Sequence, residues 1–346
     1  MVVAGIDCQI PSKKISNEDI IELVKYHSKA SFSGKLSDLE ILVNKFLVLT
    51  GIESRYWRND EKPIDLLVTC VENALKMSGI NRNEIDIVIY SSIDRGYIEP
   101  SNASLLCKVL GIGNSRNFDI VDACMGWASA LEVASSFLNS SKTINTILIV
   151  NAEFPMDREG VILPVNFTIS DKKELRWKSA SYTLGEGASA CVLRKSSFTT
   201  QFEFIEDPEN AELCTIPLPN FEKYSAKMGR FHELPFTFSA HSTSLVQNGM
   251  RPAITVLKKL LEKIDHKPKI IFPHSVSNKI IKQACCEAGI KSLVHSTFST
   301  LGNIATVSVP SAINDAITKK LIKKDQKAVV WIASAGMKYT AFDIHL

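Results

Sequence analysis

Apolar residues recur along this chain in two rhythms. Mostly apolar runs at residues 2–6, 85–90, 118–121, 146–150 and 188–193 have the length and β-branched content of strands covered on both faces. Between them, apolar positions return every three or four residues, as at Leu66, Leu67, Cys70, Val71, Ala74 and Leu75. That spacing marks one face of a helix. It predicts helices at 64–77 and at 102–110, the second opened by Pro100-Ser101. A third follows Cys124 and runs through Leu131, Val133, Ala134, Phe137 and Leu138. Later residues repeat the alternation, with strands at 202–205, 269–272, 292–295, 328–333 and 339–345 and helices at 251–264, 277–288 and 305–321.

The two parts also echo each other in detail. A helix end, a polar link, a buried strand and a serine occur in that order at 74–92 and again at 259–275. The join falls in the Ser/Thr cluster at 195–200, with no long linker. The expectation is an α/β chain of two fused halves, residues 1–197 and 198–346, in one body. Two stretches, 153–178 and 207–238, lack a clear period and carry Pro, Asn, charges and scattered aromatics. Long irregular segments in a compact fold are usually lids or insertions.

Composition narrows the classes. At 346 residues and 45% hydrophobic, the chain can bury one large core or two fused halves. A net charge of +3 with 22% charged residues lacks the basic excess of a dedicated nucleic-acid binder. The first residues have neither the basic start nor the apolar stretch of a signal peptide, and no apolar run approaches the ~18 residues that span a bilayer. A cytoplasmic protein is expected. Its eight cysteines form no Cys-x-x-Cys pair and have no His at a zinc-like offset, so they read as free thiols with no metal.

Cys124 stands apart from the others. A strand-like run ends in a small-residue turn at this cysteine and passes at once into a mostly apolar helix. Unpaired amides and the dipole of a helix N-terminus favour an anion, so the context predicts a thiol shifted towards thiolate. Far downstream, His274 follows the strand predicted at 269–272, and Asn303 lies in a glycine-marked turn. Asp122 reads as a cap for the helix or a contact for backbone amides.

These residues carry a family resemblance that covers nearly the whole chain. Residues 118–127, Gly185-Glu186-Gly187-Ala188, Pro273-His274 and residues 302–313 resemble, in order and spacing, four motifs of the β-ketoacyl-acyl-carrier-protein synthase III family of the thiolase superfamily. The resemblance implies a thiolase-like fold of five layers, αβαβα, from two duplicated halves. The first half would carry the nucleophile Cys124, the second the catalytic His274 and Asn303. It implies a cysteine acylated by an acyl-CoA or acyl-carrier-protein thioester, then decarboxylative condensation with a malonyl-type thioester. Backbone amides near Cys124 and at Ala335-Gly336 would hold the oxyanion. His274 and Asn303 would donate to the enolate. No bound cofactor is implied, and a homodimer is. The Gly185–Ala188 turn lacks the Lys-Ser/Thr of a phosphate loop and reads as close backbone packing.

Several positions depart from the family's pattern. Ser277 stands where the resemblance leads one to expect Asn, with Asn278 next. Met125 and Trp127 are bulky for the nucleophile turn and would reshape an acyl pocket. Lys279 and Lys282 remain as basic residues for an acidic carrier, but a later basic pair is replaced by Cys286 and Glu287. Arg176 and Trp177 are candidates for the nucleotide end of coenzyme A, and the segment at 153–178 is longer than in typical relatives. These features favour a specialised relative, in secondary rather than fatty-acid metabolism. The loop Ser91-Ser92-Ile93-Asp94-Arg95 lacks the glutamate that a 3-hydroxy-3-methylglutaryl-CoA synthase would need. The alternatives are an acyltransferase passing the group to oxygen or nitrogen, and a silent partner subunit.

Overall fold

A computed structural model describes residues 1–157, 161–224 and 234–346. Thus 158–160 and 225–233, parts of the two aperiodic stretches, lie outside the described residues. The first half contains β1 (Val2–Gln9), α1 (Asn17–Ser28), α2 (Leu36–Thr50), α3 (Pro63–Ser78), β2 (Ile87–Ser91), α4 (Asn102–Leu110), β3 (Arg116–Ile120), α5 (Gly126–Ser140), β4 (Thr146–Glu153) and β5 (Gly187–Arg194). The second contains β6 (Phe202–Glu206), α6 (Ser242–Lys263), β7 (Ile270–Pro273), α7 (Asn278–Ala288), β8 (Leu293–Val294), α8 (Ser308–Thr318), β9 (Lys327–Ser334) and β10 (Lys338–His345).

The duplication read from the sequence is written in the topology. One five-stranded sheet has the order β1-β5-β4-β2-β3, the other β6-β10-β9-β7-β8. Strand directions repeat too: β1/β5 and β4/β5 are antiparallel while β2 pairs parallel with β4 and β3. The pairs β6/β10 and β9/β10 are antiparallel, and β7 pairs parallel with β9 and β8.

Strand alternation then builds the layers. Ile87, Ile89, Ile147 and Ile149 face one core together with Trp127, Leu131 and Ala134 of α5, Ala312 and Ile313 of α8, and Ile270, Phe272 and Val330 of the second sheet. Val88, Tyr90, Leu148 and Val150, one residue out of step, face α3 and α4. Ile271, Val329 and Trp331 face α6 and α7 in the same way. Period-two side chains on both sheets therefore give five layers, with α5 and α8 between the sheets. The alanines of α5 and α8 let both sheets approach this central pair.

A fourth core lies beside this body. It joins α1 and α2 to Ile162, Phe167, Ile169, Tyr182 and Phe298. The stretch at 153–178 is thus not a bare loop. Its described part holds short helical turns at Val165–Phe167, Lys172–Glu174 and Leu175–Lys178, and buries Met156, Ile162, Phe167 and Ile169. Helix α6 also starts earlier than its pattern predicts, at Ser242 rather than 251, and runs on through Gly249 and Pro252. Among the described residues no helix is long and apolar enough to cross a membrane.

Candidate active site

Three segments separated widely in the sequence are tied together: strand β9 holds the Cys124 turn and His274, and the Asn303 turn packs on the Cys124 turn. Residues Ala123–Met125 form a tight helical turn that opens α5, and Ala123 enters it at φ 46°. A non-glycine residue there is strained and needs support from outside the turn. The Met125 amide supplies one tie, donating to Ser334 Oγ at 3.0 Å at the end of β9. Asp122 supplies a second. Sequence reading had it cap the helix or contact backbone amides, and its side chain makes no cap hydrogen bond. Its carboxylate accepts from Ser129 Oγ at 2.7 Å and from Lys338 Nζ at 2.7 Å, so it binds the turn to the start of β10.

His274 follows β7 and its amide donates to the Trp331 carbonyl of β9 at 2.8 Å. The same strand β9 therefore holds both the nucleophile turn, at Ser334, and the histidine. The imidazole is buried, and Nδ1 has no hydrogen-bond partner among the described residues. Burial without a counter-charge pushes its pKa down to about 4, so the ring is neutral at physiological pH.

Asn303 stands between Gly302 and the turn Ala305–Val307. Its Oδ1 accepts from the Ala305 amide at 3.0 Å. Its backbone pairs with the glycine turn: the Asn303 amide donates to Thr183 O at 2.8 Å and the Gly185 amide to Asn303 O at 3.0 Å. A Cβ on Gly185 would lie 2.1 Å from Leu301 O. The Gly185–Ala188 turn is thus a backbone contact that seats the asparagine, as its composition implied. The asparagine turn in turn packs on the nucleophile turn, where a Cβ on Gly126 would lie 3.1 Å from Thr306 Cγ2 and 2.7 Å from Ser91 Oγ.

The expected thiolate is not what the free site favours. Cys124 is half-buried as a residue, but burial of its thiol, then the nearby Cys214 and Glu153, push its pKa up. The helix N-terminus works in the other direction, and desolvation outweighs it. Alkylation at Cys124 by iodoacetamide is therefore expected to be slow at neutral pH. It should rise by about tenfold per pH unit through about pH 9. Peptide mass mapping separates Cys124 from the exposed Cys286, and a plateau below pH 8 would show a pre-formed thiolate after all.

The remaining predicted positions are dispersed. Ala335 and Gly336 lie in the β9–β10 turn, next to the Ser334 that ties Met125, with Gly336 at φ 76°. Trp127 is 1% exposed and packs at 6.3 Å from the Phe342 ring in the central core; Met125 belongs to the same core. Both fill space at the start of α5. Ser277 caps α7, accepting from the Ile280 amide, and is buried. Lys279 and Lys282 are exposed on that helix. Arg176 is exposed, and the Trp177 ring lies 6.2 Å from that of His241. Sequence reading gave no role to Ser334, Glu153 or Thr306: Ser334 ties the cysteine turn from far along the chain, and Glu153 ties the asparagine turn through its Thr306. A surface cavity of about 520 Å³ lies away from all of these, among His266, Lys267, Lys269, Lys291 and Lys327. Among the described residues no group of three or more His, Cys, Asp or Glu could hold a metal.

Known proteins share this frame and this order of segments. Residues 118–207 match the family model for 3-oxoacyl-[acyl-carrier-protein] synthase III, and residues 265–345 match its C-terminal counterpart. The chain belongs to the 3-oxoacyl-[acyl-carrier-protein] synthase III family. The β-ketoacyl-[acyl-carrier-protein] synthase III of Clostridium beijerinckii is 24% identical over 343 residues, spanning 98% of this chain and 97% of the relative. The 3-oxopimeloyl-[acyl-carrier-protein] synthase of Brucella abortus is 22% identical, spanning 83% and 85%. In fold, this family member superposes on Xanthomonas campestris OleA, solved with cerulenin bound, with a TM-score of 0.82, 20% identity and coverage of 100% and 96%. The 3-oxoacyl-[acyl-carrier-protein] synthase III of Aquifex aeolicus gives a TM-score of 0.76 at 19% identity, covering 100% and 99%. The synthase III family acts on acyl thioesters as condensing enzymes, and this chain is one of them.

Proposed function

We propose that Cys124 is the nucleophile of a decarboxylative condensation in which His274 and Asn303 serve the enolate. The observation that carries this reading is the neutral, buried His274 fixed by the same strand that holds the cysteine turn. In the first half-reaction the Cys124 sulfur attacks the carbonyl of an acyl-CoA or acyl-carrier thioester. The S–H proton leaves with the departing thiol, and an S–C bond replaces the old thioester. Amides of Cys124 and of the Ala335-Gly336 turn are suited to the tetrahedral oxyanion.

In the second half-reaction the malonyl-type thioester loses carbon dioxide. The electron pair of the broken C–C bond becomes an enolate. A neutral His274 N–H and the Asn303 amide N–H donate to its oxygen without adding negative charge. The enolate carbon then attacks the acyl carbonyl, the C–S bond breaks, and Cys124 leaves as thiolate and takes a proton from water. The product is a 3-oxoacyl thioester.

The finer assignments are part of the same proposal. Residues 1–197 and 198–346 form the two halves, and the enzyme is a cytoplasmic homodimer. Lys279, Arg176 and Trp177 border the approach of the carrier or coenzyme A arm, and Ser277 acts from beneath by capping the helix that carries Lys279. Met125 and Trp127 set the acyl pocket from behind, through packing. OleA, similar in fold, has been solved with lauric acid and lauroyl-CoA, so medium-chain acyl-CoA belongs among the first donors to try.

Intact-protein mass spectrometry tests the reading. Wild type and Cys124→Ala are exposed to a panel of acyl-CoA and acyl-carrier thioesters and then to a malonyl donor. The expected result is one acyl mass on wild type only, discharged by the malonyl donor with release of a 3-oxoacyl product. Discharge by alcohols or amines alone would make the protein an acyltransferase to oxygen or nitrogen instead.

A further inference from the structure

The repeat that builds the two halves also duplicates the nucleophile turn. Strands β2 and β7 hold equivalent places in their sheets, as do β4 and β9. The turns Ala123–Met125 and Ala305–Val307 are equivalent as well. Each starts on an alanine at positive φ, 46° and 43°, and each opens one of the two central helices. Cys124 and Thr306 are the second residues of their turns. The supports are crossed: β9 of the second half holds the cysteine turn through Ser334, and β4 of the first half holds the threonine turn through Glu153.

We propose that Glu153 is a positioning residue for condensation, which acts through Thr306 to seat the Asn303 turn against the nucleophile turn. This rests on the roles given above to Cys124 and Asn303. Glu153 closes β4 and is buried. Its Oε1 accepts from Thr306 Oγ1 at 2.5 Å and from the Ile93 amide at 3.1 Å, and its Oε2 from the Asp94 amide at 3.3 Å. The Thr306 methyl lies where it meets Gly126 of the nucleophile turn. Asn303 is three residues before Thr306, and its side chain is bound to the Ala305 amide inside the same turn. A displacement of Thr306 therefore moves the asparagine relative to the cysteine. Misplacing a catalytic group by about 1 Å costs about 100-fold in rate.

The charge on Glu153 matters as well as its position. The titratable groups that face it are Asp94 in the loop after β2, Tyr90 on β2 and Cys124 in the nucleophile turn. Beyond Asp94 stand Glu186, Asp157 and Arg58. Arg58 is turned to Glu186 and Asp157, and no cation pairs with Glu153 among the described residues. Burial and the neighbouring Asp94 raise the pKa of Glu153 above the usual carboxylate range, so it is held as the neutral acid into higher pH. Once ionised, it places a negative charge beside the cysteine and the enolate. Condensation should then fall as pH rises through the raised pKa.

Both half-reactions would be timed in wild type, Glu153→Gln, Glu153→Ala and Thr306→Val, from about pH 6 to about pH 9. Glu153→Gln keeps an acceptor oxygen but has no charge to gain. It is expected to condense within about threefold of wild type at about pH 6 and to lose the alkaline fall. Glu153→Ala and Thr306→Val are expected to slow condensation by about 10- to 100-fold while acylation stays within about threefold. Thr306→Val is nearly isosteric, so it reports even where Glu153→Ala fails to fold. Equal losses in both half-reactions, or an unchanged pH profile in Glu153→Gln, would overturn the proposal. A wild type that accepts no acyl group would overturn the reading of Cys124 itself, and this inference with it.

Discussion

Replacing His274 or Asn303 with alanine is expected to slow condensation by about 10²-fold or more while leaving acylation of Cys124 within about tenfold. Each side chain is asked to supply one hydrogen bond to a charge that exists only after decarboxylation. A donor aimed at such a charge in a water-excluded site contributes about 3 kcal/mol. Acylation needs the sulfur and the backbone amides, which neither substitution removes. The two losses should not add in the double variant, because one oxygen is served by both donors. The pH dependence adds a second check. His274 stays neutral down to about pH 4, so its contribution should persist well below pH 6, where an ordinary histidine would already be charged. Stopped acylation and malonyl-chase assays on the purified variants read both quantities. Parallel loss of acylation and condensation would end the division of labour proposed here.

Local pattern carried most of the sheets and the central helix into view, because period-two and period-3.6 signals survive wherever one face is buried and the other is not. Ile87 to Tyr90 and Ile147 to Val150 are buried on both faces, and they still announce themselves as apolar runs. The region of α1 and α2 gave no such signal. Helix α2 buries Leu39, Val43 and Leu47 but also exposes Ile41 (64%), Val48 (58%) and Leu49 (51%). Apolar residues on both faces erase the helical period.

Candidate site residues stand out in the sequence where chemistry and backbone geometry coincide in a short motif, as at Cys124, Pro273-His274 and Gly302-Asn303. A contact was not legible where the partner comes from afar. Asp122 looks like a cap because Asp often caps the next helix, yet its Lys338 partner lies 216 residues away. Thr306 and Glu153 are 153 residues apart. The thiol's protonation failed for a related reason: a helix N-terminus can be read from a pattern, but the depth at which the sulfur is buried cannot.

Gly302→Ala should be among the most damaging single substitutions in this protein, and Gly79→Ala supplies its control. Both glycines adopt positive φ, 74° and 69°. A side chain costs about 1–2 kcal/mol through strain at Gly79, where ψ is 16° and the backbone left-handed helical, and about 1–3 kcal/mol at Gly302, where ψ is −166° and the backbone almost reserved for glycine. At Gly79 nothing lies within 4 Å of the added Cβ, so the strain should be the whole cost. At Gly302 the same atom would lie 2.4 Å from Thr183 O and 3.3 Å from the Gly185 amide nitrogen. Both are backbone atoms, and no side-chain rotation relieves them. Overpacking of this kind adds about 1–3 kcal/mol, giving a total of roughly 3 kcal/mol or more. Urea unfolding reads the difference as a shift in midpoint at constant slope. The catalytic consequence should be sharper than the thermodynamic one, because relief of the clash requires Asn303 to part from the Gly185 turn. Folded Gly302→Ala protein is therefore expected to acylate Cys124 and then stall. Equal costs at Gly79 and Gly302 would mean that the backbone there gives way easily, and that the glycine turn is not what seats the asparagine.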